Sequence, residues 1–279
     1  MKVLNGKVAL VTGATRGIGK GIVIALAKAG AIVYFTGRTE KEYEGAVNLR
    51  GSVSETENEA RKNGGIVFGL KCDHTNDSDV EKVIRTINRE HGKIDILVNN
   101  IWGGYEHFNN GTEFWKEQEF WTIPISRWNS MFDAGVRAHY VASCLAAPIM
   151  IKQNSSLIVN ISYWASQRND RGVAYGTAKA ATDKITATMA FELEKYNVPV
   201  ISLYPGLVRT ESVLAAKEYL DLSNSESPEF VGRAVVALAS DSNVIIKTGK
   251  ICIAAQLAKE YGFTDVDGKQ PTPLTLETC

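Results

Sequence analysis

Cysteine is scarce in this 279-residue chain, and its four copies, Cys72, Cys144, Cys252 and Cys279, stand at no metal-ligand spacing. A zinc module or a disulfide scaffold is therefore not expected. Cys72 and Cys252 fall in apolar, strand-like runs, where a free thiol acts as a small hydrophobe. A reducing, cytoplasmic setting is the simplest account. The four histidines, His74, His91, His107 and His139, belong to no metal motif, so no metal site is expected. An excess of one charge is also missing: Lys plus Arg and Asp plus Glu are both 31. That balance supplies no electrostatic reason for a nucleic-acid or anionic-membrane partner. No run of eighteen apolar residues is present, so no membrane span is predicted. Nothing at the amino terminus resembles a signal peptide, and there is no tandem repeat or low-complexity tract. With 44% apolar and 22% charged residues, the chain has the composition of a globular protein with a sizeable core.

What is present alternates. Val8-Ala9-Leu10-Val11 is a short apolar run of central-strand type, followed by Thr12-Gly13-Ala14-Thr15-Arg16-Gly17-Ile18-Gly19 and a helical pattern that stops at Gly30. Glycine lets a backbone approach a ligand closely, and the free amides at a helix start attract pyrophosphate. A second strand, 31–36, ends in Gly37-Arg38. Where an acidic residue would accept the adenosine ribose hydroxyls, this chain has Arg38, with no carboxylate before Glu40. Arg16 and Arg38 thus read either as solvated charges or as a guanidinium clamp on a 2′-phosphate, which favours NADP(H) over NAD(H). Residues 39–53 read as an insertion ahead of a polar helix. A third strand, 66–73, is expected to end on Asp73 in the cofactor crevice. A helix over 77–91 and a strand over 94–98, ending in Asn99-Asn100, complete four alternations. This pattern predicts an α/β fold: a single Rossmann-like, doubly wound domain with a mainly parallel, seven-stranded sheet.

The pattern breaks over 101–124, where aromatic residues interleave with glycine, asparagine and glutamate. Such a run either walls an apolar pocket or packs its own loop onto the domain. Ser126 is expected to cap a helix to about Lys152, with Trp128, Met131, Phe132, Gly135, Val136 and His139 on one stripe. Further strands are expected over 157–161, 198–203 and 250–254. Residues 211–226 read as a polar lid, and Ser227-Pro228-Glu229 as the cap, first residue and first-turn acid of a helix.

The densest chemistry lies at Ser162 and at Tyr175-Gly176-Thr177-Ala178-Lys179. Residues four apart share a helix face, so Lys179 can lower the pKa of the Tyr175 phenol and make it a usable general acid and base. Ser162 follows an apolar strand, which places its hydroxyl at the carboxyl end, where open α/β sheets bind ligands. A chain with this many tyrosines and lysines should hold about 0.7 Tyr-x-x-x-Lys pairs by chance, so the surrounding pattern must carry the argument.

The ordered set Thr12-Gly13-x-x-x-Gly17-Ile18-Gly19, Asp73, Asn99-Asn100, Ser162, Tyr175-x-x-x-Lys179 and Pro205-Gly206 resembles the short-chain dehydrogenase/reductase family over about residues 6–255. Thr36-Gly37-Arg38, Gly135-Val136-Arg137, the stretch from Pro205 to Glu211 and Asp265-Val266-Asp267-Gly268 resemble one subgroup of it and its bacterial relatives. The resemblance implies that Tyr175 donates a proton to a substrate carbonyl as hydride arrives, that Ser162 orients that oxygen, and that Lys179 assists Tyr175 and holds the nicotinamide ribose. It also implies cofactor contacts at Gly13, Arg16, Gly17, Ile18 and Gly19. Arg38, Asp73, Asn99, Pro205, Gly206 and Val208 complete that expected set, with Tyr175 and Lys179 shared between the two roles. Two departures stand out. Many members carry an asparagine that supports a water relay where this chain has Gly135, and the usual Asn-Asn-Ala-Gly is here Asn99-Asn100-Ile101-Trp102-Gly103.

The expected function is NADP(H)-dependent interconversion of a carbonyl and an alcohol on a small, largely apolar substrate, by a homo-oligomer. The alternatives are a non-catalytic NADP(H)-binding regulator, which the loss of the relay asparagine would suit, and an epimerase or dehydratase. Residues 256–279 are expected to form a surface tail.

Overall fold

The computed structural model describes residues 2–41, 50–62, 64–104, 119–153 and 155–279. Seven strands form one sheet: β1 (Val8–Val11), β2 (Ile32–Gly37), β3 (Ile66–Lys71), β4 (Ile96–Asn99), β5 (Leu157–Ile161), β6 (Val200–Tyr204) and β7 (Ile251–Ile253). Their spatial order is β3-β2-β1-β4-β5-β6-β7, and every pairing is parallel. The strands are apolar throughout because both faces are covered. Ala9, Val11, Val33, Phe35, Val98 and Val159 join the core on one face, and Val8, Leu10, Tyr34, Leu97 and Ile158 that on the other. The expected α/β, doubly wound sheet is thus the observed one. Its winding reverses between β1 and β4, so the ligand crevice belongs at the carboxyl ends of these strands.

On one face lie α1 (Gly17–Lys28), α2 (Val53–Lys62), α8 (Pro228–Ser240) and α9 (Ala254–Tyr261); the other is covered by α3 (Asp77–His91), α5 (Ala138–Met150) and α6 (Val173–Leu193). The helices α1 and α8 approach through glycine: a Cβ on Gly21 would stand 2.1 Å from the Pro228 carbonyl carbon, and one on Gly232 2.6 Å from the Ala25 Cβ. Ser227 caps α8 as its sequence predicts, its hydroxyl accepting from the Phe230 N–H at 3.0 Å.

Four expectations need correction. The helix expected from Ser126 to Lys152 enters instead as α4 (Ile125–Met131) through Pro124, with Ser126 exposed in its first turn and no side-chain cap. A π-helical turn, Phe132–Arg137, then separates α4 from α5, so Gly135 and His139 are not in simple 3.6-residue phase with Trp128. Strand β3 ends at Lys71, which leaves Asp73 two residues beyond it. Finally, 256–279 is not wholly a surface tail: Leu257 and Ala258 pack into the core, and Asp265 is buried. Residues 211–226, read from the sequence as a lid, carry a short helix, α7 (Glu211–Ala215), and a 3-10 turn, Lys217–Tyr219. Of the expected insertions 39–53 and 101–124, residues 42–49 and 105–118 lie outside the described residues, Phe108, Phe114 and Trp115 among them.

Among the described residues, no helix is long and apolar enough to cross a membrane, and no group of His, Cys, Asp and Glu could hold a metal ion. All four cysteines are free.

Candidate active site

At the end of β1 the chain turns sharply, with φ of +67° at Gly13 and +56° at Gly17. Both values favour glycine. A Cβ on Gly19 would lie 2.6 Å from the Gly13 carbonyl oxygen, which explains a third glycine as α1 begins. Asn100 braces this turn, its Nδ2 donating to the Gly13 carbonyl at 2.7 Å. The Gly17 N–H donates to the Glu211 carboxylate at 2.9 Å. An anionic oxygen therefore already sits on the amide at the start of α1, and the donor set fits a pyrophosphate.

The two arginines flank this turn. Arg16 donates from Nη2 to the Gly51 carbonyl at 3.0 Å, while its buried Nε has no hydrogen-bond partner. Burial lowers its pKa, against the opposing pull of Glu211 and Glu55. Arg38 follows β2 and stands 3.9 Å from Asp73, both about two-fifths exposed. Asn99 is a different case. Its side chain is wholly buried and donates to Ser143 at 2.9 Å and Asn160 at 2.8 Å, so only its backbone is left to face the crevice.

Ser162, one residue past β5, donates to the Lys179 carbonyl at 3.3 Å. Lys179 sits one turn after Tyr175 on α6, and its Nζ lies 6.0 Å from the Tyr175 ring centre. Ser162 and Tyr175 are thus each placed beside Lys179 near the carboxyl edge of the sheet, Ser162 on its main-chain carbonyl and Tyr175 one helical turn before it. The Lys179 ammonium is buried and donates to the Ile161 carbonyl at 3.4 Å. Burial pulls its pKa down to about 8, and the negative charge of Asp183 partly opposes the fall.

Sequence reasoning missed three features. A buried polar chain runs beneath the site: Asn160 donates to Thr186 at 2.8 Å, Ser202 to Asp183 at 2.8 Å, and the Tyr204 hydroxyl joins Asp183 to Ser166. Isolated polar residues in apolar strands were its only signal. Glu226 is buried beside Gly206, and burial pushes its pKa up to about 7. Arg209 and Asp265, from two stretches with the same subgroup resemblance, meet at 2.9 Å and hold the Val208 segment against Glu226. The third is a contact: Trp102 stands out in the sequence as a departure from the family pattern, but nothing there shows that its ring meets that of Tyr175 edge-on at 5.4 Å.

A family model described as short chain dehydrogenase matches residues 7–219. The chain belongs to the short-chain dehydrogenase family. This membership agrees with the resemblance carried by the glycine turn, Ser162 and the Tyr175–Lys179 pair. The mouse protein named dehydrogenase/reductase SDR family member 1, which is the subgroup resembled, is 37% identical over 95% of this chain and 85% of its own length. The protein named 7alpha-hydroxysteroid dehydrogenase from Clostridium sardiniense is 32% identical over 90% of this chain and 92% of its own. Among solved structures, a metagenomic short-chain oxidoreductase in complex with NADP has a TM-score of 0.70 at 25% identity, covering 90% of this chain and 97% of its own. As a short-chain dehydrogenase, the chain is an oxidoreductase of a family that uses nicotinamide cofactors.

Proposed function

We propose that this short-chain dehydrogenase interconverts a carbonyl and an alcohol with NADP(H), on a small and largely apolar substrate. The observation that supports the reading is the buried Lys179 ammonium one helical turn from Tyr175, 6.0 Å from that ring's centre, with the Ser162 hydroxyl on the Lys179 carbonyl.

In reduction, the Tyr175 hydroxyl gives its proton to the substrate carbonyl oxygen; in oxidation the phenolate takes one from the alcohol. Lys179 favours the phenolate through its positive charge, which acts strongly because the surroundings are dry. Ser162 donates a hydrogen bond to the reacting oxygen and so fixes its direction. A dinucleotide held here would supply or accept the hydride.

The cofactor would lie along the glycine turn, with its pyrophosphate on the amides of Gly17, Ile18 and Gly19 and its adenine end beside Asp73. Arg16 and Arg38 would receive the 2′-phosphate, a preference supported by the absence of a carboxylate at the end of β2 and by the NADP-bound neighbour. Gly13, the Asn99 backbone and the Pro205-Gly206-Leu207-Val208 stretch would border the nicotinamide half. The hydroxysteroid relative supports an apolar alcohol as substrate.

NADPH oxidation across a panel of apolar ketones and aldehydes tests the proposal, with turnover expected for at least one of them. Tight NADPH binding without turnover on any member would instead favour a non-catalytic regulator. Product formed without net NADPH oxidation would favour an epimerase or dehydratase. The regulator reading drew its support from Gly135, and the room left by that glycine is taken by Trp102.

A further inference from the structure

The indole of Trp102 lies in a slot that two glycines keep open. A Cβ on Gly104 would stand 2.3 Å from the indole Nε1 and 2.5 Å from Cε2 and Cζ2. On the other border, a Cβ on Gly135 would stand 2.9 Å from Cζ3 and 3.0 Å from Cε3. Neither position tolerates even a methyl group while the ring stays where it is. The two glycines thus fix where the ring can lie.

Held there, the ring meets both Lys179 and Tyr175. The Lys179 Nζ lies 4.3 Å from the centre of the Trp102 ring, over its face. The same ring meets Tyr175 in an edge-on pair, 5.4 Å between centres and 64° between planes. Lys179 is poorly provided for by its other neighbours. Its bond to the Ile161 carbonyl is long at 3.4 Å. The buried ring of His139 is neutral, because burial and then the nearby Lys179 charge push its pKa down to about 3. Asp183 attracts the ammonium from further along α6, but its carboxylate already accepts from Ser202 and Tyr204. In dry surroundings the electron-rich face of an indole is a strong site for a cation, stronger than that of phenylalanine or tyrosine.

We infer that Trp102 is a positioning residue, whose face holds the Lys179 ammonium and whose edge-to-face packing holds the Tyr175 ring in the relative arrangement needed for proton transfer. The inference rests on the reading of Tyr175 and Lys179 as the proton-transfer pair. It also explains two departures from the family pattern as one: a large ring at 102 requires glycine at 135. The indole contributes attraction and rigidity but carries no proton.

The test is a pH titration of the Lys179 side chain by NMR in full-length protein labelled with 15N-lysine, the signal being identified by its loss in Lys179→Met. Trp102→Leu keeps the slot apolar and filled but removes the π face, so Lys179 should lose its proton about one pH unit lower. Trp102→Phe should restore most of the native titration. With NADPH and a reducible ketone, Trp102→Leu should lower kcat about tenfold while leaving the KM for NADPH nearly unchanged. An unchanged or higher titration in Trp102→Leu overturns the inference. Should that variant fail to fold, Gly135→Ala, which pushes the ring from the ammonium, should lower the titration, and an unchanged value there is equally decisive. The titration needs no turnover, so a chain inert toward every carbonyl refutes the proposed reaction separately from the role of Trp102.

Discussion

The Glu211 carboxylate accepts a 2.9 Å hydrogen bond from the Gly17 N–H, so the first side chain of α7 sits on the glycine turn. The same amide is a donor that a pyrophosphate would use. If the pyrophosphate takes that amide, as proposed, Glu211 must give it up. Glu211→Ala removes the internal competitor and one negative charge. Its expected result is about fivefold tighter NADPH binding, from about 1 kcal/mol of lost competition. Isothermal titration calorimetry of both proteins measures it, and unchanged or weaker binding refutes the competition.

Tyr175→Phe removes the hydroxyl but keeps the ring against Trp102. Turnover should fall by at least about a thousandfold, while NADPH affinity stays within about twofold. Steady-state rates paired with fluorescence titration of NADPH provide the check. A variant with retained turnover would remove the proposed general acid.

Arg38 stands 3.9 Å from Asp73 at the adenine end of the crevice. Arg38→Glu would place two carboxylates where the 2′-phosphate is proposed to lie. The ratio of NADPH to NADH efficiency, compared as kcat/KM, should fall by about a hundredfold or more. A ratio that does not move would show that the phosphate is read elsewhere.

Lys179 makes stability and activity oppose each other. Burial lowers its folded pKa from 10.5 to about 8. Below pH 8 both folded and unfolded chains carry the proton, and holding the ammonium in the dry site costs on the order of 3 kcal/mol. As pH rises from about 8 toward 10.5, the folded chain is neutral there while the unfolded chain still binds a proton, so this cost is progressively relieved. Lys179→Met should therefore raise stability at pH 7, by up to about 3 kcal/mol, and flatten its rise above pH 8. Activity should be lost in the same variant. Urea denaturation at pH 7 and pH 10 reads both effects, and a variant less stable than the native chain at pH 7 would contradict the sign.

Gly21 and Gly232 set how closely α1 and α8 pack. In an isolated helix, Gly→Ala would gain about 1 kcal/mol. Here the new Cβ at 21 would meet Pro228 backbone at 2.1 Å, a clash with atoms that cannot rotate away. Overpacking of about 3 kcal/mol or more should win, and Gly21→Ala should lower the thermal midpoint. A stabilised variant would show that the helix pair has slack.

Much of this architecture is legible without coordinates, for a physical reason. A parallel strand covered on both faces must be apolar along its whole length, so Val8–Val11 and Leu157–Ile161 announce themselves. Ser227 followed by Pro228 marks a helix start because local backbone geometry alone makes it one. Tyr175 and Lys179 lie one turn apart by helix periodicity, and Ser162 follows a strand that can only end in the crevice. Local patterns mislead where neighbours decide. Ser126 has the chemistry of a cap, yet the helix enters through Pro124, and Arg127 is the residue that anchors it, donating to the Gly104 carbonyl at 3.1 Å. Asn99 has the position of a cofactor ligand, but Ser143 and Asn160 take its side chain.

The linear chain by itself determined the order of strands and helices, the glycine turn and the Ser162, Tyr175 and Lys179 set, since each depends on short-range periodicity and backbone freedom. Only the tertiary structure decided that Trp102 stands over Lys179, that Glu211 reaches Gly17 and that Asp183 is tied to Tyr204. Those contacts join residues 77, 194 and 21 positions apart, and no local rule of spacing relates them. They exist because the sheet brings its carboxyl ends to one edge, where side chains from distant segments must share the same dry space.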